Sequence, residues 1–160
     1  MFSVDDWVLL IAKRSGRALD VRLQFLMFIL WKDYRVGRRV IKFEPHKYGM
    51  WSRELDSIID RLVLNGYLNV DAVEGTRGGV RRIYTPTERG LRRMKRREPL
   101  MALANFAAYI TVRQWAKAPL RYLIGHVYIT YPKYTAGALP LALTVMELED
   151  AAKHEAVGGA

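Results

Sequence analysis

The chain has 160 residues, 51% of them apolar, and carries a formal net charge of +10. That length and apolar share suit one domain, or one domain with an appendage, and exclude a mainly disordered chain. The absence of cysteine excludes disulfides, thiolate metal sites and cysteine nucleophiles.

The N-terminus, MFSVDDWVLLIAKRSG, has no basic region ahead of its apolar run, and Asp5 and Asp6 interrupt it, so no signal peptide is expected. Ser3 and Asp6 stand at capping-box spacing and open a helix over roughly 4–14, which SGR at 15–17 ends. Asp20 caps a second helix running to about Tyr34; its middle, FLMFILW, is apolar all round, as in a helix at the centre of a domain. A charged loop at 35–39 precedes an extended VIKFEP. Ser52 then caps a helix that carries Leu55, Ile58, Ile59, Leu62 and Val63 on one side and ends at Gly66. YLNVDAV reads as a strand, EGTRGG as a turn and VRRIY as the returning strand. Thr85, Pro86 and Glu88 supply a cap, a first-turn proline and a capping-box partner, which predict a helix start and end the second strand at Tyr84. Pro99 closes or kinks that helix, and further helices are expected over roughly 100–116, 119–130 and 140–155. The stretch 100–112 is the most apolar, but it is too short to span a bilayer, and a cytoplasmic protein is expected.

Charge is placed unevenly. Residues 1–76 hold twelve Lys and Arg against ten Asp and Glu, residues 77–97 hold nine against one, and residues 98–160 hold five against five. Concentrating the excess in one segment favours an anionic partner, with nucleic acid first and an acidic protein or anionic lipid second. Arg89, Arg92, Arg93 and Arg96 fall at i, i+3, i+4 and i+7 and form one basic stripe, with Leu91 and Met94 as the apolar edge that docks it. Gly75, Gly78 and Gly79 let the preceding turn bend tightly, with Arg77 at its tip and Arg81 and Arg82 on opposite sides of the returning strand. On the 52–65 helix, the face opposite the apolar one holds Arg53, Ser57, Asp60, Arg61 and Leu64, flanked by Asp56 and Glu54. His46, His126 and His154 follow no ligand spacing, GTRGGV lacks the continuation of a phosphate loop, and no nucleophile signature is present. Neither a metal, a cofactor nor an enzymatic activity is expected.

The order helix, helix, helix, LVLNGYL, strand, Gly/Arg turn and strand into YTPTERG resembles a winged helix-turn-helix domain of the MarR/PadR-like type. FEPHKYGMWSREL and LIGHVYITYPKYT are similar to elements of Panacea antitoxin-like and uncharacterised archaeal winged-helix proteins. The fold expected is mainly α with a small β-hairpin: a winged-helix domain over 1–98, with its wing at about 68–85, and a C-terminal helical extension over 99–160. The resemblance implies a double-stranded DNA-binding transcriptional regulator. Arg53, Ser57 and Arg61 would face the major groove, Arg77 the minor groove, and Arg81, Arg82, Arg89, Arg92, Arg93 and Arg96 the phosphates. It also implies a dimer, and the apolar stripe Leu141, Val145, Leu148 and Ala152 of the last helix is the candidate element. Asp56, Asp60 and Leu64 favour an alternative, a protein-interaction module on the same scaffold; structured RNA is a third partner for the basic face.

Overall fold

The computed structural model describes residues 2–75 and 79–157. Helix α1 (Val4–Ser15) opens on the expected capping box, in which Asp6 Oδ2 accepts from the Ser3 backbone N–H at 3.2 Å. Its first turn carries Asp5 and Asp6 and its last carries Lys13 and Arg14, the polarity that the helix dipole favours. A two-residue strand, β1 (Ala18–Leu19), leads into α2 (Asp20–Tyr34). Every residue from Val21 to Leu30 is buried, so α2 is the axis around which the remaining helices stack. Arg22 and Gln24 are the polar exceptions within that run, and both are hydrogen-bonded.

Only the end of the stretch expected to be extended, Glu44 and Pro45, enters a strand, in a small hairpin of β2 (Glu44–His46) and β3 (Gly49–Trp51) with Pro45 opposite Met50. Its turn needs Gly49, whose φ of 121° is strained for any other residue. Helix α3 (Arg53–Leu64) follows directly, with Ser52 Oγ accepting from Leu55 N–H at 3.1 Å. Gln24 clasps the backbone of Ser52 from both sides, accepting its N–H at 2.8 Å and donating to its carbonyl at 2.9 Å. The start of α3 is thereby fastened to the centre of α2.

Strands β4 (Leu68–Glu74) and β5 (Val80–Pro86) form an antiparallel hairpin with Val70 opposite Tyr84. Strand β1 adds to the free side of β5, giving the order β1-β5-β4. The second strand does not end at Tyr84 as expected. Pairing continues through Asn69 with Thr85 and Leu68 with Pro86, so the cap moves two residues on. Thr87 is the N-cap of α4 (Glu88–Ala104): its Oγ1 accepts from Gly90 N–H at 3.1 Å and donates to the Gly66 carbonyl at 2.6 Å. The helix abuts the preceding loop at Gly90, where a Cβ would stand 2.3 Å from the Tyr67 carbonyl oxygen.

Pro99 does not close α4, which runs on to Ala104. The 98/99 division therefore falls inside a helix. The break comes at Asn105, whose side chain caps α5 (Phe106–Trp115) by accepting from Ala108 N–H at 3.2 Å. Helices α6 (Leu120–Thr130), α7 (Pro132–Thr135) and α8 (Leu141–Val157) complete a mainly helical fold with a small antiparallel sheet. One core runs through both parts, from Leu9, Phe25 and Ile83 to Val112, Leu123 and Leu148. Phe28 joins them, with Phe43, Tyr131 and Tyr134 set edge-on against it at 4.9–5.3 Å. Tyr122, on α6, is exposed. No helix among the described residues is long and apolar enough to cross a membrane.

Candidate nucleic-acid interface

Three elements meet around the N-terminus of α1. The outer face of α3 contributes Arg61, which pairs with Asp5 at 3.4 Å. Helix α4 contributes Arg93 and Arg97, both directed at Asp6, whose carboxylate is completely buried. Arg93 Nη2 lies 2.9 Å from Asp6 Oδ1, and Arg97 Nε sits 2.9 Å from the same oxygen, an ion pair off the hydrogen-bonding angle. Asp6 thus holds the capping box with one oxygen and two arginines with the other. The loop between α3 and β4 joins them through Tyr67. Arg89 lies over its ring at 4.3 Å, donates to its hydroxyl at 3.2 Å and donates to the Asn65 carbonyl at 2.7 Å. Arg93 covers the same ring at 5.0 Å. The Arg89 hydrogen bond, aided by both positive charges, pulls the Tyr67 hydroxyl below its ordinary pKa.

The expected four-arginine stripe is therefore two layers. Arg89 and Arg93 brace the joint between α3 and α4, and Arg93 is spent on Asp6. Arg92 and Arg96 are exposed with no side-chain partner among the described residues, and Lys95, which the helical spacing had not singled out, shares that state. Leu91 does not dock the helix; it is exposed, and Gly90, Met94, Glu98 and Met101 form the buried edge. The pattern 90, 94, 98, 101 is as helical as the one expected. It was missed because it contains a glycine and a glutamate. Glu98 is tolerated there because Lys13, Arg14 and the Tyr109 hydroxyl surround it. Burial pushes its carboxyl pKa up, and those donors more than reverse the shift, leaving it lowered.

On α3, Arg53 is 86% exposed and makes only a loose 3.8 Å contact with Glu44. Ser57 is exposed and donates to the Arg53 carbonyl. Asp60 and Leu64 also face outward, Leu64 at 85%. Asp56 departs from the expected acidic face. It turns inward, and its oxygens accept from Gln24 Nε2 at 2.9 Å and Trp51 Nε1 at 2.7 Å.

In the hairpin, Arg77 lies outside the described residues. Arg82 is exposed. Arg81 is drawn in, 3.6 Å from Asp20 and about 6 Å from the Tyr48 and Trp51 rings. Its Nη1 is buried without a hydrogen-bond partner among the described residues. Burial raises the pKa of Asp20 although Arg81 opposes the shift. Burial, with Arg81 and Lys47 adding charge, lowers that of His46, which stacks on Trp51 at 4.8 Å. Arg81 and Arg82 both line a cleft of about 400 Å³ between β5 and α3, together with Asp20, Asp56, Asp60 and Tyr84. Burial pushes the Tyr84 hydroxyl pKa up to about 12.

The C-terminal stripe packs in part on the chain itself. Leu148 is buried, and Leu141, Val145 and Ala152 pack against the chain's own core. No protein-family model matches the chain, and no curated protein matches it either.

Proposed function

We propose that the chain is a winged helix-turn-helix protein that binds double-stranded DNA in the cytoplasm, in the manner of a transcriptional regulator. The order α1, β1, α2, α3 and the β4–β5 hairpin, with β1 on the outer edge of β5, supports the fold reading. The observation that carries the functional reading is the outward layer of α4. Arg92, Lys95 and Arg96 stand exposed without partners among the described residues, on a helix locked to the end of α3 by Arg89. A merely soluble face would mix signs evenly, whereas Glu88, one turn before Arg92, is the single acid on this one among the described residues. Phosphate attraction through these groups and Arg82 supplies the affinity, while Arg53, Ser57 and Arg61 on α3 face the bases. Arg81 and Arg93 act as braces within the protein.

The test is fluorescence anisotropy with a labelled random-sequence duplex over roughly 50–200 mM salt. Neutralising about four phosphates predicts a log–log slope of about −3 to −4. A slope near zero overturns the reading, and tighter binding to an RNA duplex of the same sequence would move it to structured RNA.

A protein-interaction role is the second reading. Leu64 is joined as an exposed apolar residue by Leu100, Leu103, Phe106 and Ile110 at the corner between α4 and α5. No Asp or Glu stands between Pro99 and Met146. A dimer, if formed, would use this corner and not the stripe of α8; Leu103→Glu should then convert it to monomer in light scattering.

A further inference from the structure

A cavity of about 520 Å³ lies between α8 and the surface formed by the end of α1, the 116–119 connection and α6. Its volume falls within the roughly 300–1,000 Å³ of small-molecule sites. The wall is aliphatic: Leu120 and Ile124 from α6 face Val145, Leu148 and Ala152 from α8. No aromatic ring lines it among the described residues, so nothing there would stack on a flat ligand.

The polar groups divide into a fixed floor and an open rim. In the floor, Arg22 is 5% exposed and grips Glu155 with Nε at 2.7 Å and Nη2 at 2.9 Å, while Nη1 donates to the Trp115 carbonyl at 2.9 Å. Glu155 also accepts from the Leu19 backbone N–H at 2.8 Å. This pair is saturated, and it holds α8 against β1 and α2 while leaving the cavity between them unfilled. The rim carries Arg17, Lys117, Arg121 and Lys153. Arg17 pairs with Asp71, Arg121 with Glu149 and Lys153 with Asp150, each at 3.7 Å. Lys117 has no partner among the described residues. Five cations line the cavity, and Arg17, Arg22, Arg121 and Lys153 each meet one carboxylate, so the positive charge left over is that of Lys117.

We propose that this cavity binds a small anionic amphiphile, with an aliphatic chain against the α6–α8 wall and a carboxylate or phosphate head at Lys117, supported by Arg121 and Lys153. The inference does not depend on the nucleic-acid reading. The occupant would bridge α6 and α8, so it should also raise the thermal midpoint, and go on raising it with the logarithm of its free concentration above the dissociation constant.

Calorimetric titration with decanoate, decyl phosphate and 1-decanol, each below its aggregation limit, tests the proposal on the full chain. Saturable one-to-one binding of either anion is expected, with the alcohol about tenfold weaker; the tighter anion identifies the head group. Lys117→Glu lies on an exposed, unpaired side chain and should leave folding intact. It should weaken the anions about fivefold without changing the alcohol. Ala152→Phe, checked for folding by circular dichroism, should fill the cavity and abolish binding of all three. Absence of saturable binding by both anions, alcohol binding equal to theirs, or wild-type affinity in Lys117→Glu would each overturn the proposal.

Discussion

Arg93 and Arg96 stand three residues apart in the same basic run, yet the fold gives them opposite work. Arg93, with Arg97, turns toward a carboxylate that is completely buried, whereas Arg96, with Arg92, faces solvent with no ion pair among the described residues. The inner layer is structural. Asp6 offsets one of the two charges of Arg93 and Arg97, and the ring and carbonyl that Arg89 and Arg93 meet come from the α3–β4 loop. The outer layer is available to a partner. The lesson is that an arginine cluster counts toward phosphate binding only after the acids beneath it have been subtracted.

Removing the acid breaks this division most severely. Asp6→Asn leaves Arg93 and Arg97 without their counter-charge and removes one arm of the capping box. Because both arginines retain some solvent access, we expect a loss of about 3 kcal/mol in urea unfolding, at the lower end for broken buried pairs. Charge reversal of the outer layer, Arg92→Glu with Arg96→Glu, should weaken duplex binding by about 100-fold at low salt. It should move stability by no more than about 0.5 kcal/mol, because neither side chain has a partner to lose. Gly90→Ala should cost about 2 kcal/mol, since its Cβ would press on the Tyr67 carbonyl and part α4 from the loop that Arg89 holds.

The smallest effect concerns Glu98, which draws Lys13 and Arg14 of α1 to α4. Its folded pKa lies below the ordinary carboxylate value, so its contribution is full above the unfolded pKa of about 4.3. That contribution is lost as pH falls through the lower folded value. Glu98→Gln should therefore narrow the stability gap to wild type as the pH is lowered below 4, in thermal melts followed across that range.

How much of this was legible depended on distance along the chain. Helix α3 was readable almost to the residue, because its cap, apolar spacing and terminating Gly66 are local signals. The β4–β5 hairpin was legible for the same reason, apart from its last two residues, where pairing with Leu68 and Asn69 overrides the cap signal of Thr85. Strand β1 was not legible: two residues carry no periodicity, and they are extended only because β5 lies beside them. The hairpin of β2 and β3 was hidden for a similar reason, since its three-residue strands are too short to alternate. The split in the arginine stripe was invisible because Asp6 stands 87 residues from Arg93. Asp56 was misplaced because its partners, Gln24 and Trp51, lie on other elements. Helix α4 passing through Pro99 follows from packing against α5 across the core, which local preference does not foresee.

On the proposed reading, phosphate contact by the arginines of α4 belongs to its outer layer alone. The salt dependence of duplex binding tests it most directly, measured for wild type, for Arg92→Gln with Arg96→Gln, and for Arg93→Gln. Each outer arginine that neutralises a phosphate should contribute about 0.9 to the log–log slope, so the double variant should flatten it by about 2. Arg93→Gln should leave the slope unchanged while lowering stability. A slope that flattens equally in Arg93→Gln, or does not change in the double variant, would contradict the account.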